Sequence, residues 1–515
     1  MDNNTSLDKS ESRKEFSSNV IIWLLLIGGI GLILRISFID HELPLNSDNF
    51  LFFRYTIDLI VGYDSPTDVV SNNGWPLFLY PFFSILQSNN FMDYMILQKC
   101  LSISLSVLTI IPLYYLCKQF FEKKFAIIGT AIFVFEPRII QNSLFGVTEP
   151  LYIILLTTSV SLFFSNKNYF QYISFAALTC ATLVRTEALF IIPVFYLMFF
   201  VKNKINKKSI LNIIIISLII MTILIPTSIL RSEQMGTDGL TDRVSGGMSH
   251  VSSINQNDWN MIFSFFIDGL INMIKFLGWA QIPYLILFVP VGFVLFLKDL
   301  HFKHKTLLVI GFVSLIPSLY TYSFASDSRY LFVLYPLFCI VSVYAIRFYS
   351  KKISSKKMFF VMIFSVMIIL SVFYLSWKSI DVQHEMESYS LAFEISKVSK
   401  IVNAYPTESA YLDVIGLTEV SNFPVKSEEY NKKRYINFPN DGIDSFEEFL
   451  EYGKKFGMTH VVVDNDDERK EYLKEIFENE KKYPFLTKVF DSKDMGYNYH
   501  LKVFKIDYEE IDRLN

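Results

Sequence analysis

The sequence predicts a polytopic α-helical membrane protein of about 11 transmembrane helices, ending in a small extracytoplasmic α/β domain. Three observations predict it. Of 515 residues, 52% are apolar and 16% aromatic, a density that soluble chains of this length seldom carry. The apolar residues come in long runs, many near the ~20 residues that cross a bilayer core. After residue 380 the composition turns polar, with Asp, Glu and Lys in helical and strand patterns.

Residues 1–18 are polar and read as a cytoplasmic tail. Val20 to Phe38 has no small-residue cleavage site after it, so it reads as a retained span and not a signal peptide. Further spans are expected at 94–117, 125–142, 149–165, 169–184, 187–201, 210–230, 280–297, 305–323, 329–347 and 358–377. Lysine placement tests that series, because cytoplasmic connections collect Lys and Arg. Alternate connections carry Lys118, Lys123 and Lys124, then Lys167, then Lys202, Lys204, Lys207 and Lys208. Lys298, Lys303 and Lys305 follow, then Arg347, Lys351, Lys352, Lys356 and Lys357. The N-terminus is therefore expected in the cytoplasm and the chain after Trp377 outside, in the cell membrane.

The membrane domain is expected over 19–380, with a first outer loop at 39–93. That loop holds two amphipathic stretches, Asp48 to Val61 and Trp75 to Leu86, suited to helices lying in the interface. A Gly-, Ser- and Asp-rich segment from Arg231 to Asn260 reads as a mobile outer loop, leading into a third such stretch, Trp259 to Phe276. In the outer domain, 381–515, helices are expected at 385–404, 445–456 and 468–482, with strands at 459–464 and 500–506.

Charge and motifs narrow the function. A net charge of −3 with no basic stripe gives no sign of nucleic acid. The four cysteines lie in apolar segments without metal-ligand spacing. No P-loop, HExxH, GxSxG or dinucleotide fingerprint occurs. His41 and His250 are outer histidines for which solvated loop positions compete with a metal pair involving Glu42 or Glu149.

Ionisable residues in spans are costly. Here Asp48, Arg138, Glu149, Arg185, Glu187, Asp327 and Arg329 gather at the outer ends, with Arg35 near the end of the first span. Convergence on one face points to a polar cavity. Asp48 is the candidate general base for an acceptor hydroxyl, against a plain helix-capping role. Glu149 is a second candidate acid, to orient a sugar hydroxyl or a metal, against a cap role at the start of its span. Arg185 and Glu187 either line the site or simply pair with each other. Arg329 is the candidate lipid-phosphate contact, since a guanidinium holds phosphate by two parallel hydrogen bonds.

Taken in order, Asp48 after the first span, Pro137-Arg138, Glu149, Leu183-Val184-Arg185-Thr186-Glu187-Ala188 and Ser328-Arg329-Tyr330 resemble the GT-C glycosyltransferases. The branch they resemble is the protein mannosyltransferase-like (family 39) and lipid A aminoarabinose-transferase-like one, with an archaeal look in the C-terminal domain. The resemblance covers residues 20–377. It departs from many relatives in having Asn49 after Asp48 where they carry a second acid. No WWD-type motif occurs, which argues against an oligosaccharyltransferase catalytic subunit.

The resemblance implies an inverting transfer on the outer face, from a polyprenyl- or dolichyl-phosphate-linked sugar to an acceptor hydroxyl. Asp48 and Glu149 would be catalytic, and Arg138, Arg185, Glu187, Arg329 and Tyr330 would bind substrate. The acceptor is left open among protein, glycan and lipid, no cofactor is assigned, a divalent metal stays open, and oligomeric state is not addressed. A transporter or flippase of a lipid-linked sugar, or a non-catalytic scaffold, are the competing readings. Transporters often carry inverted repeats and helices broken at the midplane, and the sequence has neither feature.

Overall fold

The computed structural model describes residues 4–62, 72–236, 238–239, 259–323, 327–398, 401–402, 406–418, 420, 422–426, 436–437, 443, 445–466 and 469–514. His250 and most of the expected outer segment 231–260 lie outside the described residues. The chain packs as two compact units. One is Met1–Ile39, Asp64–Ile85 and Ile96–Ser376; the other is Asp40–Tyr63, Leu86–Met95 and Trp377–Asn515.

The first unit is a helical bundle. Among the described residues, seven helices are long and apolar enough to cross a membrane: Asn19–Phe38, Phe91–Cys117, Thr186–Asn203, Lys207–Glu233, Phe302–Thr321, Ser328–Ser350 and Lys357–Val398. Glu149–Phe163 is a shorter apolar helix. Expected spans 125–142, 169–184 and 280–297 also contain helices, but shorter ones. The 125–142 run breaks into Lys123–Val134 and Pro137–Leu144, because Pro137 has no N–H to continue a helix and favours a helix start. Only Val289–Leu297 of the 280–297 run is α-helical, with Pro290 in its first turn. The stretch from Trp259 forms the helix Trp259–Trp279.

Packing of the bundle uses small and polar side chains, as expected where lipid removes the hydrophobic drive between helices. Ser159 and Ser174 exchange hydrogen bonds, each hydroxyl donating to the other's carbonyl at 2.7 Å. Arg35 is fully buried. It donates to Gly31 O at 2.9 Å, Val134 O at 3.1 Å, Ser106 Oγ at 2.9 Å and Ser143 Oγ at 3.2 Å. Arg35 therefore ties its own helix to three others and does not mark a helix end in the interface.

In the second unit, the expected stretch from Asp48 is the helix Ser47–Ile60. An antiparallel sheet has Leu501–Ile506 at its centre, between His460–Asp464 and Leu486–Asp491. All five residues of His460–Asp464 are buried. The helix Phe446–Phe456 begins at Ser445, whose hydroxyl accepts from the Glu448 N–H, and ends at Gly457 with φ 79°, a left-handed position suited to glycine. Leu391, Tyr411, Phe449, Val461, Ile476 and Val503 share its core. A buried carboxylate, Asp464, accepts both the Nε and Nη2 donors of Arg469 and the Tyr499 hydroxyl.

One expectation for this region needs correction, and two elements are additional to it. The helix predicted at 385–404 is the end of one helix, Lys356–Val398, that begins in the last span; no Pro or Gly interrupts it. The strand Leu486–Asp491 and the helix Pro406–Thr418 were not anticipated.

Candidate functional site

The site in the first unit is built from a helical hairpin. Glu149 opens the helix Glu149–Phe163, and Arg185 follows the end of Asn168–Val184, with φ −145° and ψ 120°. The two helices pack side by side and run in opposite directions, so the start of one meets the end of the other. Glu149 Oε1 accepts from Arg185 Nη1 at 2.5 Å, and Glu187 Oε1 from Arg185 Nη2 at 3.1 Å. The Glu149 side chain is 5% exposed and that of Arg185 13%. One guanidinium thus lies between two carboxylates, leaving a net negative charge. Glu149 Oε2 is buried and accepts no hydrogen bond among the described residues.

The same guanidinium stacks on Tyr330, 5.5 Å from the ring centre, and Arg329 approaches that ring at 5.6 Å. Asp327 fixes this loop. Its carboxylate accepts the Arg329 backbone N–H at 2.9 Å and pairs with Arg329 Nε at 2.8 Å. Tyr322 donates its hydroxyl to the Asp327 carbonyl at 2.7 Å. Glu149, Arg185, Glu187, Arg329 and Tyr330 therefore form one cluster. Thr148 makes no side-chain cap bond, so the acid beside it serves the ion cluster and not the helix end alone.

Arg138 is engaged elsewhere. Its Nε donates to the Ile282 carbonyl at 3.2 Å, and its guanidinium stands over Tyr374 at 5.3 Å. Asp48 belongs to the second unit. The N-cap position of its helix is Asn46, so Asp48 is not the cap. It sits exposed in the first turn, where the helix dipole favours an anion.

Glu136 escaped the sequence reading. It is fully buried, beside Tyr284 and the Arg138 backbone N–H. The available signal was its being the only acid in the apolar run 125–142. Among the described residues no group of three or more His, Cys, Asp or Glu side chains converges. Glu149 and Glu187 hold an arginine between them, an arrangement unsuited to a divalent cation.

An apolar cleft lies along the same elements. Ile153, Leu156 and Val160 line it from the Glu149 helix, and Val333 and Leu334 from the turn that carries Arg329, opposite Ile310.

A many-helix bundle with seven helices long and apolar enough to cross a membrane defines a polytopic membrane protein. Residues 78–414 match the family described as "Predicted membrane protein (DUF2079)", and the chain belongs to that family. Among solved structures, the Archaeoglobus fulgidus oligosaccharyltransferase in complex with Zn and sulfate is similar over 86% of this chain and 68% of its own, at 13% identity and TM-score 0.55. The archaeal oligosaccharyltransferase AglB from the same organism, in complex with an inhibitory peptide and a dolichol-phosphate, matches over 93% and 74%, at 12% identity and TM-score 0.50. ArnT from Cupriavidus metallidurans, bound to undecaprenyl phosphate, matches over 94% and 98%, at 9% identity and TM-score 0.53. At such identities the likeness is one of fold. No curated protein sequence matches the chain.

Proposed function

We propose that this protein is a membrane glycosyltransferase that moves a sugar from a polyprenyl- or dolichyl-phosphate-linked donor to an acceptor hydroxyl on the outer face, with inversion. The observation that carries the reading is the cluster of Glu149, Arg185, Glu187, Arg329 and Tyr330 in a GT-C bundle. The cleft beside it suits an isoprenoid chain, and the solved relatives bound to dolichol-phosphate and undecaprenyl phosphate have the same fold. The lysine asymmetry supports a cytoplasmic N-terminus and an outer C-terminal domain. The missing WWD-type motif favours transfer of a sugar over the oligosaccharyltransferase reaction.

In this mechanism Asp48 takes the proton of the acceptor hydroxyl, whose oxygen attacks the anomeric carbon. The bond from that carbon to the phosphate oxygen breaks, and the lipid phosphate leaves with the electron pair. Arg329 is the phosphate ligand in this reading, carried by the turn whose Val333 and Leu334 line the apolar cleft. Charge building on the leaving oxygen is then met by a fixed cation. Glu149 Oε2, with no protein donor among the described residues, is suited to accept a sugar hydroxyl. Arg138 is a further substrate contact in this reading.

The test is reconstitution of the purified protein with polyprenyl-phosphate sugars and a membrane extract as acceptor, comparing wild type with Asp48→Asn. Transfer that falls by about 10²–10⁴-fold in the variant, with donor binding retained, supports the reading. Equal transfer by both removes Asp48 as base and directs attention to Glu149. Absence of transfer by either, with donor moved between leaflets, supports a transporter instead.

A further inference from the structure

The lysine-rich ends of the bundle hold two ammonium groups that the reaction above does not use. Lys202 donates to the carbonyls of Phe163, at 2.9 Å, and Ser165, and Lys303 to Gln119 Oε1 at 2.7 Å. Both side chains are partly buried. Lys202 lies over the Phe163 ring at 5.7 Å and Lys303 over that of Phe164 at 6.0 Å. Phe163 and Phe164 are adjacent in the chain at the end of one helix, so both ammonium groups stand beside the same helix end. Among the described residues neither forms a salt bridge to a carboxylate. The neighbouring acid, Asp299, pairs with His301 at 3.0 Å and is 3.8 Å from His304.

Capping accounts for part of this: a lysine at the carbonyl end of a helix is favourable. It does not account for the pair. Lys202 has one N–H left after its two carbonyls, and Lys303 has two left after Gln119. Two like charges held partly out of water without a counter-charge are unfavourable, and an anion bridging them removes both penalties. Basic pockets between helices on the lysine-rich side of a membrane protein take phosphate head groups in this way. Lys118, Lys167 and Lys298 stand at helix ends on the same side by the sequence topology.

We propose that Lys202 and Lys303, with Gln119, form a binding site for a phosphate-type anion at the lysine-rich face, and that its source is the head group of an anionic phospholipid. The site is independent of the transfer reaction and does not rest on it.

The experiment uses the full-length protein in nanodiscs of phosphatidylcholine, with or without phosphatidylglycerol, and in phosphatidylcholine with inorganic phosphate. Thermal unfolding is followed, and native mass spectrometry counts retained lipid. The expected result is one retained phosphatidylglycerol and a rise in Tm of several degrees. Lys303→Gln, which leaves the Lys202 cap in place, abolishes both, and Lys303→Arg restores them. Lys298→Gln serves as a charge-matched control and keeps the shift. An equal rise with inorganic phosphate overturns the lipid source in favour of a soluble anion. Equal Tm in both lipids, or a shift undiminished in Lys303→Gln, overturns the site.

Discussion

Removing the cation of the Glu149–Arg185–Glu187 cluster tests how that cluster is held together, without knowledge of any substrate. Arg185→Met leaves two carboxylates facing each other, their side chains only 5% and 23% exposed. Breaking a buried ion pair by removing one partner costs about 3–5 kcal/mol, unless one acid takes up a proton. Glu149→Gln is gentler. It keeps the shape and leaves Arg185 paired with Glu187, so it loses one charged hydrogen bond, about 1.5–3 kcal/mol. Arg185→Met is therefore the less stable of the two by roughly 2 kcal/mol. The triple variant Arg185→Met with Glu149→Gln and Glu187→Gln recovers much of the loss, because a neutral set has no buried charge to compensate. Thermal unfolding in one detergent, with the three variants and wild type side by side, reads the order. If Arg185→Met unfolds no earlier than Glu149→Gln, or the triple variant no later than Arg185→Met, the electrostatic account of the cluster is wrong.

Gly74→Ala places a Cβ 2.6 Å from the carbonyl carbon and oxygen of Leu183 and the nitrogen of Val184; since backbone cannot step aside, a loss of about 1–3 kcal/mol or more is expected in thermal unfolding. Arg35→Lys puts one ammonium where a planar fork met four acceptors on four helices, and a sharp fall in folded yield by size-exclusion chromatography is the expected outcome. In the second unit, the hydrogen bond from Lys502 holds the Glu480 carboxyl below its usual range. A depressed carboxyl contributes stability above its unfolded pKa and loses it as pH falls through the folded value. Glu480→Gln should therefore lower the unfolding temperature at pH 7, with the deficit shrinking as pH falls through the depressed folded value; a deficit that stays constant down to acid pH rejects the linkage.

Much of the fold was readable from the chain. Seven of the long apolar runs gave helices long enough to cross a membrane among the described residues, and the run Val461-Val462-Val463 gave a buried strand. The failures have local causes. Glu136 and Pro137 sit inside a run whose mean hydropathy hides them, so one expected span is two helices. The polar composition after residue 380 suggested a break at the membrane boundary, yet a helix without Pro or Gly has no reason to stop there.

Residue type and position determined which charged residues stand near the ends of apolar runs, and that Arg185 stands two residues from Glu187. They did not determine partners. Glu149 meets Arg185 only because two helices fold back on each other, and Tyr330 joins them from 145 residues further along the chain. Arg138, equal to the others in sequence, turns to Tyr374 and the Ile282 carbonyl, while Arg35 is spent tying helices together. The physical reason is that periodicity encodes which face of a helix is buried, a local property. Which helix that face meets depends on packing between segments far apart in the chain, and only the tertiary structure decides it.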